Sequence, residues 1–212
     1  MKKQYGIAAV SGVLFLLLIL LVKTVDTAAV GPNGTVIGLS HINVAVHEFC
    51  GVNIFWYKLT QVMGIIAILV AAGFALLGVK DLITYRSIRK VDPEILKLGG
   101  LYAVVILLYA FFEKVIINYR PIIMPDSTEV EASFPSTHTM LIIVIMGSAL
   151  LALKHFVKDK TIRRICKVAC VLIIVVTVLG RLICGVHWFT DILGGILIST
   201  TLLAIYAGIG ID

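Results

Sequence analysis

Three short stretches of this sequence hold residues that could do chemistry together. The first is Lys114 to Pro121, Lys-Val-Ile-Ile-Asn-Tyr-Arg-Pro. The second is Phe134-Pro135-Ser136-Thr137-His138, and the third runs from Gly180-Arg181 through His187 to Asp191. Arg120 and Arg181 are permanently charged and offer forked donors that match phosphate oxygens. Ser136, Thr137 and His138 open a helix, whose first N–H groups lack intrahelical partners and can cradle an oxyanion. His187 and Asp191 are four apart, so at a helix start they share a face. Asp191 can then hold one ring nitrogen and leave the other as a nucleophile. His138 is a second histidine, suited to general-acid work. Together these residues describe phosphoryl transfer. No cluster of carboxylates is available to hold magnesium, so neither a metal nor another cofactor is expected.

The elements that must position these residues follow from hydropathy. Of 212 residues, 60% are hydrophobic and 14% charged, and the mean hydropathy is +1.07. That balance disfavours a free cytosolic enzyme and excludes a disordered chain. Six apolar runs are long enough to cross a bilayer: Gly6 to Val22, Leu59 to Val79, about Leu96 to Tyr119, about Thr137 to Leu153, about Val168 to Leu182 and about Asp191 to Ile211. The first exceeds the usual core of a signal peptide and is followed by further spans, so it reads as a membrane helix. Asp92-Pro93-Glu94 is a helix start, with aspartate as cap and proline in the first turn. The expected fold is all-α, a single six-span membrane domain over residues 1–212.

The charges orient it. Thirteen of the 18 basic residues lie at one end of such a topology: Lys2, Lys3, Lys80, Arg86, Arg89, Lys90, Lys97, Lys154, Lys158, Lys160, Arg163, Arg164 and Lys167. That end should be cytoplasmic, with both termini there, in the plasma membrane. The basic excess is a topology signal and implies no nucleic acid. Lys23 and Lys58 are explained by snorkelling. Lys114, Arg120 and Arg181 run against the bias, and ionisable groups at membrane depth mark a functional site. In the first outer loop, Ile42, Val46 and Phe49 have helical spacing and Phe55-Trp56-Tyr57 follow, which predicts an interfacial helix with an aromatic belt. His41 and His47 read there as solvated histidines. The four cysteines form no Cys-x-x-Cys pair, which supports neither a zinc nor a redox site.

Arg120-Pro121, Pro135-Ser136-x-His138 and Arg181-(five residues)-His187-(three)-Asp191 resemble the three signature segments of the type 2 phosphatidic acid phosphatase superfamily, in order, spacing and placement on the spans. The resemblance implies that His187 forms a phosphohistidine, Asp191 orients it and His138 protonates the leaving alcohol. Arg120, Arg181, Lys114 and Ser136 would bind the phosphate, with the backbone N–H of Thr137. Thr137 replaces the family's usual glycine, and Gly180 its usual serine. The step from Lys114 to Arg120 is six residues, one short of the family's. If span three stays helical to Arg120, Lys114 lies roughly 120° from the arginine and Glu113 takes its face. The expected function is an integral membrane phosphatase acting on lipid phosphates or diphosphates of the phosphatidic acid, phosphatidylglycerophosphate or undecaprenyl diphosphate type, from the extracytoplasmic side. Its partners would be that substrate and the surrounding membrane lipids. The alternative is a lipid-phosphate binding or transport protein without turnover, for which the arginines alone would suffice. A vanadate-dependent oxidase on the same scaffold is disfavoured by size and composition.

Overall fold

The computed structural model describes residues 2–124 and 127–209. Among the described residues seven α-helices form: α1 Lys2–Thr24, α2 Ser40–Cys50, α3 Ile54–Tyr85, α4 Pro93–Lys114, α5 Thr137–Phe156, α6 Lys160–Ile183 and α7 Phe189–Gly208. All except α2 are long and apolar enough to cross a membrane, and the chain is a multi-pass membrane protein. Their ends are set by local chemistry. Asn53 caps α3, its side chain accepting from the N–H groups of Phe55 and Trp56. Asp92 caps α4 by accepting from Glu94 N, with Pro93 in the first turn as expected. Asp159 caps α6 by accepting from Ile162 N.

Several boundaries differ from the hydropathy reading. α3 has 32 residues, about 48 Å of helix, which is longer than a ~30 Å hydrocarbon core. α6 begins well before Val168. The expected end of the last span at Ile211 lies outside the described residues. The largest difference is in span three, which stops at Lys114 and not at Tyr119. Val115, Ile116 and Ile117 are β-branched and lose side-chain freedom in a helix. The chain beyond them finds other partners: Tyr119 bridges to Ala132 antiparallel, Arg120 N donates to Glu131 O at 3.1 Å, and Ser133 N to Asn118 O at 3.0 Å. Lys23, expected to snorkel, donates from Nζ to Ile116 O at 2.9 Å and ties down the start of this segment.

The six long helices alternate in direction. One pole gathers segments 25–53, 115–124, 127–136 and 184–188. The other gathers 86–92 and 157–159 with the start of α1 and the end of α7. α5 is the most buried span and packs against α3, α4, α6 and α7, while α1 lies along α7. The short α2 docks at the first pole. Its polar residues Ser40 and Asn43 are buried, and Ile42 and Phe49 face outward, Phe49 at 92% exposure. The predicted interfacial helix thus exists, with its polar stripe turned toward the protein.

Candidate active site

His187 sits in the turn between α6 and α7, the segment 184–188. Gly185 in this turn has φ +69°, and a Cβ there would come within 2.2 Å of Gly51 O. Only glycine fits such a left-handed, close-packed position. His187 is buried, at 3% exposure. Its Nε2 lies 3.0 Å from Arg181 Nη2 and 3.5 Å from Arg120 Nη1. Its Nδ1 faces Asp191 Oδ2 at 3.5 Å, a distance that catalytic contacts shorten once substrate arrives. The same carboxylate oxygen accepts from Trp188 N at 2.8 Å, which anchors Asp191 in the first turn of α7. Burial, with the charges of Arg120 and Arg181 beside it, holds the imidazole well below its ordinary proton affinity. His187 is therefore neutral, with one ring nitrogen facing a carboxylate and the other facing two guanidinium groups.

Arg181 is 1% exposed. Its Nη1 donates to Thr60 Oγ1 at 3.4 Å, and the ring of Tyr57 lies 5.6 Å from its guanidinium carbon. A Cβ on Gly180 would stand 2.7 Å from Thr60 Cγ2 and 3.0 Å from the Trp56 ring. The glycine that replaces the family's serine thus lets α3 close on α6, and Thr60 brings a hydroxyl to the arginine from a different helix. Arg120 is held from three sides. Its Nη1 donates to Val186 O at 3.2 Å, its Nε lies 3.0 Å from Glu131 Oε2, and Trp188 Nε1 donates to the neighbouring Tyr119 O at 2.6 Å.

The start of α5 divides the expected cradle. Ser136 is fully buried. Its hydroxyl accepts from Thr139 N and from Thr139 Oγ1, and its own N–H donates to Asp191 O at 2.9 Å. Ser136 therefore serves as a helix cap and as a strut to Asp191, while its O–H has no acceptor among the described residues. The N–H groups of Thr137 and His138 are the open donors of this first turn. Thr137 lies on the boundary of two cavities. One, of about 390 Å³, is polar and lined by Arg120, His187, Glu113, Glu129 and Glu131. The other, of about 270 Å³, is apolar and lined by His138, Gly64, Ile65, Ile68 and Leu141. Tyr109 and Thr137 border both.

The structure thus brings Arg120, Arg181, His187 and Asp191 together, sets Thr137 at the edge of the same space and places His138 in the adjoining apolar cavity. It does not bring Lys114 there. That side chain is exposed at the last residue of α4, whereas Glu113 lines the polar cavity. The premise of a helix continuing to Arg120 fails, because α4 ends six residues earlier. His47, expected to be solvated, is half-buried and contacts Gly185 O at 3.1 Å. His41 is exposed and pairs with Asp26 at 2.6 Å. Asn118 and Ser133, both buried, stand beside the Asp191 carboxylate. Neither they nor Thr60 and Glu131 carry a mark in the sequence. Among the described residues, no group of three or more His, Cys, Asp or Glu side chains is arranged to hold a metal ion.

No curated protein matches the chain in sequence. Its fold is similar to that of a transmembrane PAP2-type phosphatidylglycerolphosphate phosphatase from Bacillus subtilis, with a TM-score of 0.64 and 18% identity over 95% of this chain and 94% of that one. At that identity the likeness establishes a shared fold. The PAP2 superfamily model matches residues 94–209, a segment that is more than half of the chain and holds all three signature stretches, and the protein belongs to that superfamily.

Proposed function

We propose that this membrane protein is a lipid phosphate phosphatase that works through a phosphohistidine on His187. One observation carries the reading: buried Arg181 and half-buried Arg120 converge on the nitrogen of His187 that lies opposite Asp191. That is an arrangement for holding a phosphoryl group against a nucleophile. Membership of the PAP2 superfamily supports a phosphatase in the broad sense. The pairing of a polar cavity with an apolar groove at His138 supports a substrate that has a phosphate at one end and a hydrocarbon tail at the other.

The reaction runs in two steps. Nε2 of His187 attacks phosphorus, the bond from phosphorus to the ester oxygen breaks, and His138 gives its proton to the departing oxygen. Water then attacks the phosphohistidine, His138 takes a proton from it, the P–N bond breaks and inorganic phosphate leaves. Arg120, Arg181 and the N–H groups of Thr137 and His138 bind the three phosphoryl oxygens. Asp191 stabilises the positive charge that His187 gains. No step uses a metal. The positive-inside distribution supports a site on the extracytoplasmic face, with both termini in the cytoplasm.

The test is phosphate release by purified protein in detergent, over phosphatidic acid, phosphatidylglycerophosphate and undecaprenyl diphosphate, with His187→Ala as the blank. Wild type should release phosphate from at least one lipid, unaffected by chelator, and acid quenching should trap an acid-labile, base-stable phosphoprotein. Normal turnover by His187→Ala ends the mechanism, and strict dependence on added magnesium ends its metal-free form. Cys184 is fully buried, so sidedness is read from a cysteine placed at exposed Asn33. An impermeant thiol reagent on intact cells should label it. Labelling of Cys166 in its place inverts the topology.

A further inference from the structure

The chain between α1 and α3 contributes nothing to the three signature stretches, yet it is bonded to the turn that carries His187. Asn43 of α2 is completely buried. Its Nδ2 donates to Gly38 O at 2.9 Å and to Thr190 Oγ1 at 3.0 Å, while its Oδ1 accepts from Thr190 N at 3.1 Å. One helical turn later, His47 Nε2 donates to Gly185 O at 3.1 Å, and its ring lies 5.4 Å from that of Trp188. Past the end of α2, Asn53 N donates to Cys184 O at 3.3 Å. These bonds grip the chain on both sides of His187.

The bond to Thr190 N has a specific reason. The first N–H groups of a helix need acceptors from outside it, and an N-cap side chain normally supplies one. The N-cap of α7 is Trp188, which has no acceptor atom in its side chain. Asn43 supplies the missing acceptor from 147 residues away in sequence. Thr190 adjoins Asp191, and Asp191 faces His187 Nδ1 across 3.5 Å, a gap that closes or widens with the seating of this turn. We propose that Asn43 is a positioning residue for phosphoryl transfer: it seats the first turn of α7 so that Asp191 meets Nδ1 of His187. Asn43 touches neither the arginines nor the phosphate space, so it acts on the phosphorylation step and not on phosphate affinity. The assignment rests on the phosphatase reading above.

The experiment uses full-length protein in detergent, with wild type, Asn43→Ala and Asn43→Asp assayed on the best lipid phosphate. The stoichiometry of vanadate binding gives the number of competent sites, and acid-quench trapping gives the fraction of them that carry phosphohistidine. Steady-state rates are then expressed per competent site, and vanadate inhibition reports affinity for the phosphate space. Asn43→Ala should lose about tenfold or more in kcat per competent site, with KM and vanadate inhibition within about twofold. Asn43→Asp keeps the acceptor for Thr190 N and should recover a substantial part of that rate. If Asn43→Ala lowers only the number of competent sites and leaves the rate of each unchanged, the residue is structural and the proposal fails. It also fails if Asn43→Ala yields no competent sites and Asn43→Asp either yields none or turns over at the wild-type rate. A wild type that releases no phosphate fails the phosphatase reading itself, which is a separate result.

Discussion

Two ionic clusters lie at opposite poles of the helix bundle, and their charges are balanced differently. At the pole holding the chain termini, Glu94 accepts from the Tyr206 hydroxyl and pairs with Lys97 at 3.1 Å. Lys97 also donates to Ile209 O at 3.2 Å and lies 4.4 Å over the Tyr206 ring. Beside them Asp92 pairs with His155 at 2.6 Å. Each charge there has its opposite. At the other pole, Arg120 and Arg181 approach one neutral nitrogen of His187. Among the described residues, Glu131 is the one carboxylate in contact with either guanidinium. A cluster closed on itself holds helices together. Arg181, which no carboxylate touches among the described residues, keeps a charge that is unbalanced until an anion joins it, because burial weakens screening. The difference separates a structural polar cluster from one arranged around a ligand, although residue types alone make the two look alike.

That distinction can be broken by mutation, most severely at the nucleophile. His187→Ala should abolish turnover and the trapped phosphoenzyme, whereas Asp191→Asn, which leaves the attacking nitrogen in place, should keep a slow residual rate. Next in size, Arg120→Ala and Arg181→Ala should each cost on the order of a hundredfold or more in kcat/KM, since each removes a forked contact to the transferring phosphate. Side-by-side kinetics on one lipid phosphate decide it, and a loss of only a few fold at both positions would remove the anion-site reading.

A smaller effect concerns pH. Burial and the two arginine charges lower the proton affinity of His187, so it stays unprotonated well below its ordinary pKa of about 6.5. Removing a positive neighbour favours the protonated form. Arg120→Gln should therefore move the acidic limb of kcat/KM to higher pH than in wild type. A limb that stays in place or moves to lower pH would contradict the electrostatic account. Lys114→Ala should cost less than about tenfold, or roughly 1.4 kcal/mol. If it is as damaging as Arg120→Ala, the segment after α4 rearranges when substrate binds. The smallest change in activity is expected from the closed cluster. Lys97→Met leaves Glu94 without its cation and should weaken folding by about 2 kcal/mol in thermal denaturation. Its kcat/KM should stay within about twofold of wild type, and a large catalytic loss would erase the contrast between the poles.

How much of this was legible without coordinates can be judged from particular residues. The grouping of Arg120, Arg181, His187 and Asp191 was readable, because helix-start spacing brings His187 and Asp191 to one face and alternating spans return the three stretches to one pole. The boundary of α4 was not. Hydropathy continues through Val115, Ile116 and Ile117, and it does not register that the backbone beyond them pairs with residues 131–133. The cap and strut made by Ser136 were hidden for a similar reason, since its N–H meets Asp191 O across packed helices and its hydroxyl accepts from Thr139.

By itself the sequence determined the six spans, their alternation, the Asp92-Pro93 helix start and the stretches that carry the charge. These depend on transfer free energy along the chain and on contacts within one helical turn, both of which are local. Only the tertiary structure decided that Thr60 rather than a serine at position 180 meets Arg181, that Glu131 holds Arg120, and that Asn43 caps a helix begun at Phe189. Each pairs residues far apart in sequence, and a polar side chain becomes a cap, a strut or a ligand according to which orphan donor the packing of helices brings within about 3 Å of it.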